Sequence, residues 1–482
     1  MSPDNYPHQR RSVLHHQLYF LGYALLALSC VDPRRGDQEM SVSMDSTSPI
    51  TQVFDAGAQI LLRDASSSDA DSPDFAVPLL DTAVIDLEVA GYFGDQDSSV
   101  GIDAEVNLPE RELRVVGYYA SWATYRGVQV TDIGADFLTH INYAFAAIQD
   151  GGCVFGDPWA DIEQPLSGDQ AESGDLRRAG NLGALRRLRS EKPHLSVLIS
   201  VGGWGTSQAF SESAATAQGR RRLAESCVNL LVEQELDGID LDWEFPVVGE
   251  GGARREMDRE AFPALVEEFR AALNARASET NREEPYLLTI ALPIEASILQ
   301  HYDLRALLPA VDWVNVMAYD MVGPWSATTG FDAPLRDPLG RDVADVEDSV
   351  ALLLDLGVPA EKLVLGVPFY GRSFSGVQRG AWEGLFQTFS GLGPGTFDDG
   401  VVEYRGLERL RGSSEYSEYR DEISGAAWLY SNVAQVFVTF EDTLDIWAKY
   451  SLVIDRGLGG LMAWELSQDD ESHSLTRAMT GR

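Results

Sequence analysis

The sequence predicts an α/β fold, a (β/α)8 TIM barrel with a small α+β insertion between its seventh and eighth strands. Two observations carry this. Short apolar runs alternate with helical patterns from about Arg114 onward. One long Gly-, Phe- and Tyr-rich stretch then interrupts the alternation after the seventh run. Near-continuous apolar strands separated by helices imply a parallel sheet covered on its outer face. Eight such units in about 370 residues point to a closed barrel.

The strands read in order as Val115–Ala120, Thr139–Phe145, Leu195–Val201, Gly238–Phe245, Leu287–Leu292, Trp313–Ala318, Leu363–Pro368 and Gly460–Trp464. Helical stretches lie between them, among them Gly219–Leu236, Asp258–Ala277 and Val346–Leu356. Between Arg372 and about Val438 no barrel element fits. A structureless loop of that size inside a compact domain is improbable, so residues 375–437 are read as the insertion. Its aromatics, Trp382, Phe386, Phe389, Tyr404, Tyr416 and Tyr419, are expected to form its own core. The barrel domain as a whole is assigned to 112–482.

Two segments precede it. Residues 1–29 read as a signal peptide: a basic His8-Gln9-Arg10-Arg11, an apolar run Leu18–Leu28, then Ser29 and Cys30. The run is too short for a membrane span. Cys30 directly after Ala27-Leu28-Ser29 resembles a lipoprotein processing site, which makes it a candidate lipid anchor. Residues 30–111 are rich in Asp, Ser, Gly and Pro, with a low-complexity core at 64–73. Such a composition cannot bury enough apolar surface to offset its ordering entropy, and a disordered acidic linker is expected. The chain is expected to be extracellular or in the cell envelope.

The 482 residues carry 75 Asp+Glu against 37 Lys+Arg, a net charge of -38. That balance excludes nucleic acid and an anionic membrane as partners. It fits a neutral or cationic polymer, and equally an adaptation to salt. The three cysteines, Cys30, Cys153 and Cys227, have no CxxC spacing, and the histidines form no HExxH. Neither a zinc site nor a disulfide framework is expected. No metal or other cofactor is implied.

The chemistry concentrates in Asp237-Gly238-Ile239-Asp240-Leu241-Asp242-Trp243-Glu244-Phe245-Pro246. Asp240, Asp242 and Glu244 alternate with Ile239, Leu241, Trp243 and Phe245. A period of two puts the acids on one face of a strand, roughly 6.5–7 Å apart, and the apolar residues on the other. A calcium loop does not fit, because an EF-hand needs Gly at its sixth position and Glu at its twelfth. Asp237, at the strand start, is read as structural. In a barrel of this kind the active site lies at the C-terminal strand ends. Those ends carry Tyr118, Ser200-Val201-Gly202-Gly203-Trp204, the three acids, Met317-Ala318-Tyr319-Asp320, Tyr370-Gly371-Arg372 and Trp464-Glu465. Acids, tyrosines and tryptophans at one mouth describe a carbohydrate site.

These motifs resemble glycoside hydrolase family 18, the chitinases. Asp237 to Glu244 matches the family's DxxDxDxE, Ser200-Val201-Gly202-Gly203 its SxGG, and Met317-Ala318-Tyr319-Asp320 its MxYD. Gly366–Arg372 and Gly459–Leu466 also fit, so the likeness covers roughly residues 112–480. The insertion resembles that family's insertion domain. The resemblance implies a retaining, substrate-assisted reaction, in which the 2-acetamido oxygen of N-acetylglucosamine replaces a carboxylate nucleophile. Glu244 would protonate the leaving oxygen, Asp242 would orient the acetamido group, and Asp240 would share a proton with Asp242. Tyr319 would hold the acetamido oxygen. Tyr118 and Ser200 would bond Asp240, and Trp464 would form the floor. Asp320 and Arg372 would hold sugar hydroxyls, with Trp204 and Trp325 stacking in neighbouring subsites. Phe145, Gly203, Met317 and Tyr370 complete the expected substrate-binding set. The implied partners are chitin and chitooligosaccharides, acted on by a monomer. Cleavage of N-glycan cores or peptidoglycan, and a non-catalytic chitin-binding lectin, are the alternatives; the presence of Glu244 argues against the lectin.

Overall fold

The computed structural model describes residues 113–165, 179–248, 255–337 and 343–482. The signal peptide, the acidic linker and Cys30 lie outside the described residues. Among those described, no helix is long and apolar enough to cross a membrane.

Fifteen strands form two sheets among these residues. In the first are β1 (Arg114–Ala120), β2 (His140–Gln149), β3 (Gly152–Phe155), β4 (Ser196–Gly202), β5 (Gly238–Asp242), β6 (Leu287–Leu292), β7 (Trp313–Val316), β8 (Leu363–Pro368) and β15 (Gly460–Trp464). Eight of them, all but β3, pair in parallel in the order β1-β15-β8-β7-β6-β5-β4-β2, and β2 returns to β1 to close the barrel. The (β/α)8 expectation holds. β3 is an antiparallel partner of β2 at the rim, which the sequence reading did not anticipate. It is only four residues long, and Asp150-Gly151 turns the chain at positive φ at both residues.

Alternation in each strand sorts the side chains into two layers. Val115, Tyr119, Ile141, Tyr143, Val197, Ile199, Ile239, Leu241, Leu288 and Ile290 pack outward, against helices Gly180–Glu191, Ala217–Glu233 and Asp258–Glu279. Val116, Tyr118, Leu198, Trp313, Val364 and Met462 form a separate interior cluster. Asp240 and Asp242, one residue out of phase with Ile239 and Leu241, therefore face the barrel interior.

The second sheet runs from Tyr370 to Phe440. It comprises β9 (Tyr370–Ser375), β10 (Gly391–Leu392), β11 (Val401–Glu403), β12 (Ser417–Arg420), β13 (Ala427–Ser431) and β14 (Val436–Phe440), ordered β10-β9-β14-β13-β12 with β11 also on β9. Phe374, Trp428, Tyr430 and Phe437 cover one face, and Val402, Leu407, Leu429, Val438 and Phe440 the other. Phe386, Phe389, Tyr404, Tyr416 and Tyr419 pack against these clusters as expected, while Trp382 stays largely exposed beside Phe386.

One expectation is corrected. Cys153 on β3 and Cys227 in helix Ala217–Glu233 form a disulfide, with Cα atoms 5.0 Å apart and a sequence separation of 74. A single long-range pair leaves no spacing pattern, which is why the count of three concealed it.

Candidate active site

Strand β5 ends at Asp242, sooner than the alternation suggested, so Glu244 stands beyond the last ladder pair. Two glycines and one serine shape this exit. Gly202 and Gly203 take φ of 107° and 81°, conformations that side chains rarely adopt. A Cβ on Gly202 would lie 2.2 Å from the Asp242 carbonyl oxygen, and one on Gly203 would lie 2.5 Å from the Phe145 ring. The Gly203 N–H donates to the Asp242 carbonyl at 2.8 Å. Buried Ser207 accepts from the Glu244 N–H at 2.9 Å, with its hydroxyl 3.0 Å from the Asp242 carbonyl. Gly203, expected to touch substrate, thus braces the backbone that carries the acids.

Register explains how Asp240 is held. Ser200 stands opposite it on β4 and Thr289 on β6. Oδ2 accepts from Tyr118 Oη at 2.8 Å and Ser200 Oγ at 2.7 Å. Oδ1 accepts from Thr289 Oγ1 at 2.5 Å and Asn315 Nδ2 at 3.0 Å. Burial pushes the Asp240 carboxyl above its ordinary range, while these four donors pull it back down. Asp242 is treated differently. It is just as buried, and its Oδ1 has no hydrogen-bond partner among the described residues. Burial first, then the charges of Glu244 and Asp240, push its carboxyl well above the usual carboxylate range. No hydrogen bond joins Asp240 to Asp242.

Around the acids stand the tyrosines and tryptophans. Tyr319 is buried, and burial plus the charges of Asp242 and Asp320 raise its hydroxyl far above the usual range, so it remains a proton donor. Trp464 at the end of β15 lies 5.4 Å from the Tyr118 ring and stacks on Phe145 at 5.7 Å. Met317 packs in the interior cluster with them. Trp204 and Trp325 are 40% and 47% exposed at the mouth, beside Phe245 and Arg372 respectively.

Asp320 and Arg372 are not independent arms. The guanidinium donates from Nε (3.0 Å) and Nη2 to Asp320 Oδ1, which also accepts from Tyr370 Oη at 2.6 Å. Asp320 sits at φ 62°, a strained setting that Asp tolerates better than most residues. One of its oxygens is saturated, and the side chain remains 36% exposed.

The sequence reading missed four contributors: Thr289, Asn315, Ser207 and Trp122. Trp122 follows β1 and lies 6.3 Å from both Phe145 and Trp464. Thr289 and Asn315 could have been found as lone polar residues inside the apolar runs of β6 and β7. Among the described residues no cluster of His, Cys, Asp and Glu fits a metal ion.

A barrel mouth with a buried, graded row of acids invites comparison with known proteins. Residues 114–469 match the family described as Glycosyl hydrolases family 18. The chain belongs to that family. Similar relatives include Chitinase A1 of Niallia circulans, 35% identical over an alignment of 400 positions that covers 74% of this chain and 56% of that protein. Chitinase 1 of Aphanocladium album is 30% identical over 73% of this chain and 80% of its own length. The solved structure of Chitinase ChiA74 from Bacillus thuringiensis superposes with a TM-score of 0.72 at 32% identity, covering 77% of this chain and 70% of that one. The match thus spans little more than half the length of the Niallia relative.

Proposed function

We propose that the chain is an exported chitinase that hydrolyses β-1,4 linkages between N-acetylglucosamine units with retention, through a substrate-assisted oxazolinium intermediate. One observation carries the reading: an anchored Asp240, an unpartnered Asp242 and a Glu244 beyond the strand end stand in sequence at the mouth. Family membership and the chitinases among the relatives support it.

In this reaction Glu244 gives its proton to the glycosidic oxygen as the bond breaks. The 2-acetamido carbonyl oxygen attacks the anomeric carbon from the other face. Asp242 accepts a hydrogen bond from the acetamido N–H, which satisfies its orphaned oxygen, and it balances the positive charge that develops. Asp240 keeps Asp242 reluctant to ionise. The Tyr319 hydroxyl donates to the acetamido oxygen and aligns it. Trp464 with Phe145 forms the floor, the exposed side of Asp320 accepts from a sugar hydroxyl, and Trp204 and Trp325 extend the path of the polymer. Water then opens the oxazolinium from the leaving-group side, with Glu244 taking the proton back.

Glu244→Gln should abolish turnover of chitooligosaccharides while leaving their binding in place. NMR of fresh product should show the β anomer first; the α anomer first refutes the scheme. Colloidal chitin, a high-mannose glycoprotein and peptidoglycan assayed side by side separate the substrate readings. Export is supported by the amino-terminal pattern and by the Cys153–Cys227 bridge, since such bonds persist in oxidising compartments. The mass of the processed amino terminus shows whether Cys30 carries lipid, and sedimentation tests the monomer.

A further inference from the structure

Asp332 belongs to none of the motifs. It sits in the loop after β7 and is 1% exposed, and neither carboxylate oxygen has a hydrogen-bond partner among the described residues. The Arg372 Nε lies 3.7 Å from its Oδ1. The guanidinium Nε thus meets two carboxylates, Asp320 at 3.0 Å and Asp332 at 3.7 Å.

The loop is clamped so as to keep it there. The Asp332 carbonyl accepts from the Met321 N–H at 2.9 Å, and its N–H donates to Thr439 Oγ1 at 3.3 Å. Thr439 stands opposite Arg372 in the β14–β9 ladder. Phe331, the preceding residue, is buried against Trp428 of the second sheet. An isosteric Asn would fill the same space without a buried charge. A carboxylate kept without hydrogen bonds is costly unless its charge is used. Burial and the Asp320 charge push the Asp332 carboxyl well above the usual range, and the cations that pull it back are Arg372 first and then Lys449, which is already paired with Glu441.

We propose that Asp332 is a positioning residue: its charge seats the Arg372 guanidinium in the cleft wall, so that Asp320 presents its exposed oxygen to substrate. Two carboxylates share the attraction of the Arg372 guanidinium. Without Asp332 the guanidinium shifts its full attraction to Asp320 and draws that carboxylate off the cleft. The cost falls on substrate binding and not on proton transfer at Glu244.

This rests on the carbohydrate reading of the site, and the test keeps the two separable. With 4-nitrophenyl diacetylchitobioside as probe, Asp332→Asn should raise KM roughly three- to tenfold and leave kcat within about twofold. It should unfold at the same or a higher temperature, because it removes a buried charge. In a double-mutant cycle with Asp320→Asn the two KM effects should be strongly non-additive. Additive effects, or equal losses in kcat and kcat/KM, overturn the proposal. Thr439→Val, which frees the Asp332 backbone, should raise KM in the same direction, while Thr439→Ser keeps the hydroxyl and should not. These two decide the matter should Asp332→Asn fail to fold, and an unchanged KM in Thr439→Val would then refute it. If the native chain releases no nitrophenol, the catalytic reading fails on its own. The same cycle is then read from calorimetric binding of tetra-N-acetylchitotetraose.

Discussion

Removing one oxygen atom from Tyr118 tests the electrostatics of the site with little change of shape. Tyr118→Phe deletes the 2.8 Å hydrogen bond to Asp240 Oδ2 and leaves the ring against Trp464. Hydrogen bonds to charged groups are each worth about 1.5–3 kcal/mol. Tyr118 stabilises the ionised form of Asp240, so its loss raises that pKa by about one to two units at roughly 1.36 kcal/mol per unit. Burial already places the folded pKa above the unfolded value. The stability that Asp240 contributes is therefore present at low pH and lost as pH rises through the folded pKa. The mutant's deficit should be full above the mutant's folded pKa and vanish below that of the wild type, where Asp240 is protonated in both folded proteins. In the proposed mechanism the Asp240–Asp242 pair must hold one negative charge. The acid limb of kcat/KM for 4-nitrophenyl diacetylchitobioside should then move up by about one unit, with the alkaline limb in place. An acid limb that stays put, moves down, or gives way to a uniform drop at all pH refutes the reasoning.

Ser207→Ala removes the acceptor of the Glu244 N–H, at a cost of about 1–3 kcal/mol for a buried donor; kcat should fall about tenfold or more with little change in KM. Gly203→Ala should lower kcat/KM at least about tenfold, because φ of 81° and contact with Phe145 both oppose a Cβ; a variant of native activity would show that the turn is not needed. Reduction of Cys153–Cys227, or Cys227→Ser, releases a cross-link spanning 74 residues, worth up to roughly 4 kcal/mol by loop entropy. The melting temperature should fall while kcat at low temperature is unchanged, since the bond ties β3 to an outer helix away from the acids.

What could be read from the sequence was whatever repeats at short range. The alternation through Asp240, Asp242 and Glu244 is local, and so are the apolar runs, which place the eight strands to within a few residues. Strand ends were less legible. The alternation continues through Phe245, but the ladder stops at Asp242, where the chain leaves the strand braced by Ser207. Thr289 and Asn315 were overlooked because one polar residue barely disturbs an apolar run, and only the register shows that Thr289 meets Asp240. Arg372 was expected to reach substrate directly. Its commitment to Asp320, and its approach to Asp332, depend on a second sheet whose pairing no local pattern encodes.

The four donors on Asp240 come from β1, β4, β6 and β7, and the acid itself from β5, so five of the eight barrel strands meet at one carboxylate. All its acceptor directions are taken by O–H and N–H groups, so a proton placed there would displace a bond that barrel closure has fixed. Asp242, one ladder step nearer the mouth, has no such donors. Of two adjacent buried acids, the one without donors is the cheaper to protonate. Closure of the barrel therefore decides which acid of the pair is labile, before any substrate arrives. A ligand that brings an N–H to Asp242 changes that order, because it supplies the missing donor and stabilises the charged form. An acetamido group does this, whereas a sugar lacking it leaves Asp242 buried and its Oδ1 without a donor. In the proposed mechanism the acetamido group therefore serves twice, through the nucleophile it provides and through the charge it licenses on Asp242.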